Sequence, residues 1–258
     1  MTFEARLEHS EAVAQAGDAS VRPERRLPVL VIMHGEHSSA GRVGQALAQR
    51  GHVLDVCKPR FGDPLPKTLG QHAGVVVFGG PMSANDPDSY LKDEIDFVGV
   101  ALKEEKPFLG VCLGAQMLAK HLGAKVGKHP AGKVEIGYHA VRATACGNAL
   151  GPWPEHVYQW HREGFDLPAG GTRLAEGSVF ENQAFHYGKC GLGLQFHPEI
   201  TYCLVNRWTV LAKDWSDRDG AQERSAQLDH HLTYANAVSS WLGRLVDRWL
   251  GGQLRAGA

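Results

Sequence analysis

An α/β domain with an open, mostly parallel sheet and helices on both faces is what this sequence predicts, and three observations carry the prediction. Short apolar runs recur without polar alternation at 29–33, 53–57, 75–78 and 107–111, the pattern of strands buried on both faces. Segments of helical spacing fall between and after them, at 43–50, 90–105 and 113–122. The connections are short, which favours right-handed crossovers and therefore parallel neighbours.

Taken in order, residues 1–26 are polar and rich in Ala, Glu and Arg, and they read as a mobile leader. Residues 27–250 form one domain, with 251–258 as a short tail. The helix at 90–105 places Leu91, Ile95, Val98 and Leu102 on one apolar face. The strand at 107–111 runs almost directly into the apolar helix at 113–122. From 125 to 196 the pattern changes to short pieces at 134–141, 172–175, 184–187 and 191–196, separated by Gly and Pro turns, which read as a small antiparallel addition. Past Thr201 the spacing is helical to Trp249, with a break near 217–220. There Leu228, Leu232, Ala235, Val238, Leu242, Leu245 and Trp249 form a stripe expected to pack on the chain's own domain. No internal repeat or low-complexity linker marks a second domain.

Charge and cysteine usage exclude several classes of function. Lys and Arg number 27 against 28 Asp and Glu, a net charge of -1, so nucleic acid and anionic membranes find no electrostatic footprint. No stretch approaches the roughly 18 apolar residues of a membrane span, and no basic start precedes an apolar run. The 5 cysteines are an odd set without a CxxC pair, which argues against a disulfide framework or zinc ribbon and for a reducing cytoplasm.

Three segments carry chemistry. In Gly110-Val111-Cys112-Leu113-Gly114-Ala115-Gln116 a cysteine stands between two glycines, after a strand and before a helix, the arrangement of a nucleophile elbow. The helix N-terminus and its free N–H groups favour a thiolate there; the pentapeptide alone also fits a buried structural cysteine. Gln195-Phe196-His197-Pro198-Glu199 ends another strand. It offers His197 as proton carrier and Glu199 to hold the second imidazole nitrogen. Gly79-Gly80-Pro81-Met82-Ser83 ends the strand at 75–78, and the N–H groups of Gly80 and Leu113 suit an oxyanion hole.

Together, and in this order, the three segments resemble the class I (triad) glutamine amidotransferases, especially stand-alone members similar to the amidotransferase domain of GMP synthase. The resemblance covers roughly residues 28–250. It implies a flavodoxin-like open sheet, a triad of Cys112, His197 and Glu199, and a glutamine site touching Gly80, Leu113 and Gln116. Weaker matches around Trp160-His161-Arg162-Glu163 and Gln183-Ala184-Phe185 put His161 and Phe185 beside the substrate. No metal or organic cofactor is implied. His34, Glu36 and His37 lack a further ligand cluster and are explained by a loop after the first strand. Cys57, Cys146, Cys190 and Cys203 have no adjacent base and read as structural. Complete GMP synthases continue into a domain with a Gly-rich phosphate loop that this chain lacks. The expected partner is therefore glutamine or another γ-glutamyl amide, with ammonia passed to a separate synthetase. The alternatives are an autonomous γ-glutamyl peptide or amide hydrolase with the same triad, and a non-catalytic docking or regulatory subunit.

Overall fold

The computed structural model describes residues 26–254 apart from 216. The expected leader lies outside the described residues except for Arg26, as do 255–258 of the expected tail. Leu254 itself is buried in the core.

The first half alternates as the apolar runs predict: β1 (Val29–Ile32), α1 (Gly41–Gln49), β2 (Leu54–Cys57), β3 (Gly74–Val77), α2 (Ser89–Lys103), β4 (Phe108–Val111) and α3 (Leu113–His121). The remainder comprises β5 (Val126–Lys128), β6 (Glu135–Ala140), β7 (Arg142–Ala143), α4 (Ala145–Asn148), β8 (His156–His161), β9 (Glu163–Phe165), β10 (Gly171–Glu176), β11 (Asn182–Tyr187), β12 (Gly191–Leu194), α5 (Tyr202–Leu211) and α6 (Arg224–Leu250). An 8-stranded sheet has the order β2-β1-β3-β4-β12-β11-β10-β7. The strands from β2 to β12 are parallel, and those from β12 to β7 antiparallel. The parallel part is the flavodoxin-like order, in which ligands bind beyond the C-terminal ends of the strands.

Both faces of the sheet are covered, which explains the runs without alternation. Val29 and Val31 of β1 pack with Val43 and Leu47 of α1 and with Trp241, Leu245 and Trp249 of α6. Leu30 and Ile32 point the other way, to Leu91 and Val98 of α2 and Leu118 of α3. A satellite core joins Tyr138, Tyr158, Ile200, Leu204 and Val205 beneath the C-terminal edge.

Three features differ from the sequence reading. The strand expected at 191–196 in the antiparallel addition joins the two parts of the sheet: β12 pairs antiparallel with β11 and also parallel with β4, between which it is inserted. The pairs β5–β9 and β6–β8 form separate two-stranded sheets, and β5, β8 and β9 are too short or too mixed in composition for the periodicity to mark them. Leu232, placed on the packing stripe of α6, is 71% exposed, because this 27-residue helix turns that position away from the sheet. Among the described residues no helix is long and apolar enough to cross a membrane.

Candidate active site

Cys112 occupies the joint between β4 and α3 with φ 51° and ψ -105°, a left-handed conformation that a non-glycine residue adopts only when its surroundings enforce it. The enforcement is visible on both sides. A Cβ on Gly110 would overlap the Gly114 backbone, and one on Gly114 would overlap the Val77 carbonyl of β3. The Cys112 N–H donates to the Leu194 carbonyl of β12 at 2.8 Å, tying the elbow to the strand that carries the histidine.

Three residues past that strand stands His197, whose N–H donates to the Tyr158 carbonyl at 2.8 Å. Its Nδ1 bonds Glu199 Oε1 at 2.7 Å with both side chains buried. The Nε2 atom makes no other hydrogen bond and faces the Cys112 thiol. Burial alone would lower the imidazole, but the Glu199 carboxylate and the charge of Cys112 raise it to about 10. The turn holding Glu199 is fixed by α1: the Arg42 N–H donates to the Glu199 carbonyl at 2.9 Å, and Arg42 Nε donates to the Ile200 carbonyl at 3.0 Å.

Beyond β3, Gly79 and Gly80 line the same cavity. A Cβ on Gly79 would fall 2.8 Å from His197 Cε1 and 3.3 Å from Cys112 Cβ, so only glycine lets the three segments converge. His34, read as a simple loop residue, instead turns inward at the end of β1 and is fully buried. Its Nδ1–H donates to the Gly79 carbonyl at 3.2 Å, and its Nε2 shares a 2.6 Å hydrogen bond with Glu94 Oε2 of α2. Because a trans peptide points its C=O and N–H in opposite directions, holding the Gly79 carbonyl turns the Gly80 N–H away from His34. The backbone of Leu113 opens α3, where the N–H lacks an intrahelical acceptor.

Gln116 also lines the cavity, its Nε2 donating to the Glu163 carbonyl at 2.8 Å. His161 reaches the cavity wall, but both ring nitrogens are engaged. Nδ1 bonds the Glu163 carbonyl at 3.0 Å, and Nε2 lies 3.1 Å from Gln159 Oε1 and from Glu135 Oε2. Burial would raise the Glu135 carboxyl, yet the bonds from His161 and Gln183 hold it below its usual value. Phe185 is a correction: it is fully buried in the core, tilted against Phe165 with ring centroids 5.1 Å apart. On β11 its side chain joins the core shared with α2 and α3 and is not among the residues that line the cavity. Glu36 and His37 line the mouth of the cavity with exposed side chains.

The cavity formed by these residues has a volume of about 520 Å³. Cys112 is the one cysteine among the residues lining the cavity; burial pushes the Cys57 thiol up to about 11 and raises Cys190 as well.

Known proteins are similar to this chain in sequence and fold. A protein of Salmonella typhimurium named as glutamine amidotransferase-like is 29% identical over 180 residues, 66% of this chain and 74% of its own length. One subunit of a glutamine-hydrolyzing GMP synthase from Thermoplasma volcanium is 30% identical over 141 residues, 52% of this chain and 66% of that polypeptide. Full-length GMP synthases are matched over less than half of their length. The crystal structure of a glutamine amidotransferase from Thermotoga maritima superimposes with a TM-score of 0.79 at 32% identity, covering 87% of this chain and 98% of that one. The family described as glutamine amidotransferase class-I matches residues 37–203. That single stretch takes in Cys112, His197 and Glu199, and the chain belongs to the class I glutamine amidotransferases.

Proposed function

We propose that the chain hydrolyses the γ-carboxamide of glutamine to glutamate and ammonia through a thioester on Cys112. The observation that carries this reading is the buried His197, bound through Nδ1 to Glu199 at 2.7 Å with its other nitrogen toward a cysteine on a strained elbow. With the thiol proton on His197 Nε2, Cys112 Sγ attacks the γ-carbon. The oxygen becomes an anion received by the N–H groups of Gly80 and Leu113. As the C–N bond breaks, His197 returns its proton to the departing nitrogen. Water then attacks the thioester and gives its proton to His197; glutamate leaves and the proton returns to sulfur. Glu199 orients the imidazole and stabilises its charged form. The free Oε1 of Gln116 is available to the amino-acid end of the substrate.

Ammonia passes to a separate synthetase in the cytoplasm. This assignment is supported by the relative named as one subunit of a glutamine-hydrolyzing GMP synthase and by 5 free cysteines, which suit a reducing compartment. The test treats the purified chain with a glutamine-like diazoketone and measures intact mass. One adduct, located on Cys112 and suppressed by excess glutamine, is the expected result; labelling elsewhere, or none, overturns the mechanism.

A further inference from the structure

The cavity exceeds what glutamine requires. Its volume of about 520 Å³ falls within the ~300–1,000 Å³ that encloses drug-sized ligands, and the surplus has a defined chemistry. Trp208 of α5 meets the His197 ring at 80°, with centroids 5.0 Å apart. Trp160 of β8 lies 5.8 Å from Trp208 and is stacked on Trp215 at 6.4 Å. All three indoles line the cavity and are only half-buried, with Leu211 beside them. Arg162 and Arg207 line the same mouth, the Arg162 guanidinium 5.6 Å from the centre of the Trp215 ring. Glu36 is there too, exposed and 4.0 Å from His37 Nε2. Trp160 is itself stacked between Tyr158 and Trp215, and Arg218 lies 4.7 Å from the Trp215 ring centre, so it is the half-buried indole edges and remaining surface lining the cavity that offer binding energy to a further ring.

The reaction gives this wall a direction, on the reading of the triad proposed above. His197 protonates the departing nitrogen, so that nitrogen lies at Nε2. A substituent on it next meets the indole that touches His197, then those of Trp160 and Trp215. In glutamine the nitrogen bears only hydrogen, and the wall has nothing to hold.

We infer that the site takes γ-glutamyl amides whose nitrogen carries an aromatic group, foremost γ-glutamyl dipeptides ending in an aromatic amino acid. The ring lies against Trp208, Trp160 and Trp215, and the carboxylate pairs with Arg162 and Arg207. Chemically the step is the same hydrolysis. The γ-carbon exchanges its C–N bond for a bond to Cys112 Sγ, and the proton on His197 passes to the nitrogen of the released amino acid. One water then converts the thioester to glutamate and restores the thiol.

The full chain is assayed on γ-glutamyl-phenylalanine, γ-glutamyl-glycine and glutamine by release of amine or ammonia. Expected is a kcat/KM for the phenylalanine peptide about tenfold or more above that for the glycine peptide, in the range of discrimination an apolar pocket supplies. Trp215→Ala should move that ratio toward one, whereas Arg207→Gln should lower kcat/KM for both peptides, whose carboxylate it meets, relative to that for glutamine. A wild-type ratio of one or below overturns the subsite without recourse to any variant. So does a ratio that Trp215→Ala leaves unchanged, or cleavage of glutamine without cleavage of the phenylalanine peptide. Failure of all three substrates together with an unlabelled Cys112 overturns the hydrolytic reading itself, and the subsite with it.

Discussion

At the scale of single residues, the imidazole shared by Cys112 and Glu199 governs the acid–base behaviour. Since His197 is raised from 6.5 to about 10, kcat/KM should hold level through neutral pH and fall on an alkaline limb as the ring loses its proton. Glu199→Gln removes the largest charge that raises it, so the limb should move toward neutral, while the rate falls less than in His197→Ala; a pH–rate profile of both variants reads this. The sign for folding is the same: the stabilisation from the charged ring is fully present below pH 6.5 and is lost as pH rises through about 10. Cys112→Ala should fold normally and lose turnover by about 10⁴-fold or more, whereas Cys190→Ala and Cys203→Ala retain it; steady-state ammonia release decides. Cys112, His197 and Glu199 were legible because each stands in a contiguous motif whose neighbours dictate the backbone. His34 was not, since its partner Glu94 is 60 positions away and only the helix crossing unites them. Phe185 was not legible for a related reason: which strands border the cavity is decided by how the sheet packs, and no residue of β11 is among those that line it.

Among elements, the segment after β3 depends on its neighbours. The buried His34–Glu94 pair holds the Gly79 carbonyl and so fixes the direction of the Gly80 N–H. Glu94→Gln should loosen that peptide, lowering kcat by up to about tenfold, below the 10²–10³ expected for outright loss of an oxyanion donor. KM should stay nearly constant, and the pH profile should keep its shape. A proportional loss of thermal stability without a kcat effect would mark the pair as structural only. Gly79→Ala should act more severely, because its Cβ meets His197 Cε1 at 2.8 Å. The early strands and helices were readable from the sequence because burial on both faces erases alternation and helical stripes face the sheet. The segments β8 and β9 were hidden in mixed composition, since Trp160 and His161 on the one and Glu163 on the other line the cavity and break the apolar pattern of a core strand. The parallel setting of β12 was equally hidden, because strand direction is decided by partners and not by the strand's own residues.

Across the whole molecule, α1 and α6 cover one face of the sheet and α2 and α3 the other. Trp249, 1% exposed, closes the first layer against the start of β3. Trp249→Ala should cost about 3–5 kcal/mol, read by denaturant melts, with diazoketone labelling of Cys112 unchanged where the variant remains folded. For the chain alone, glutamine turnover should lie well below ~10 per second, a median rate for enzymes, because glutamine leaves the indole wall unfilled and no synthetase is present. Turnover near that rate without additions would point to a free glutaminase.

The insertion of β12 between β4 and β11 also sets an order of events during synthesis. The segments that flank the Cys112 elbow, β3, β4 and α3, are made first, yet the elbow lacks its bond to Leu194 and the edge of β4 stays open until residues 191–194 leave the ribosome and fill the centre of the sheet. That late, long-range pairing closes a large loop and is intrinsically slow. Until it happens the nascent chain displays an unpaired apolar strand that invites aggregation, and its nucleophile has no base. Activity and protection from misassembly therefore arrive in the same folding step.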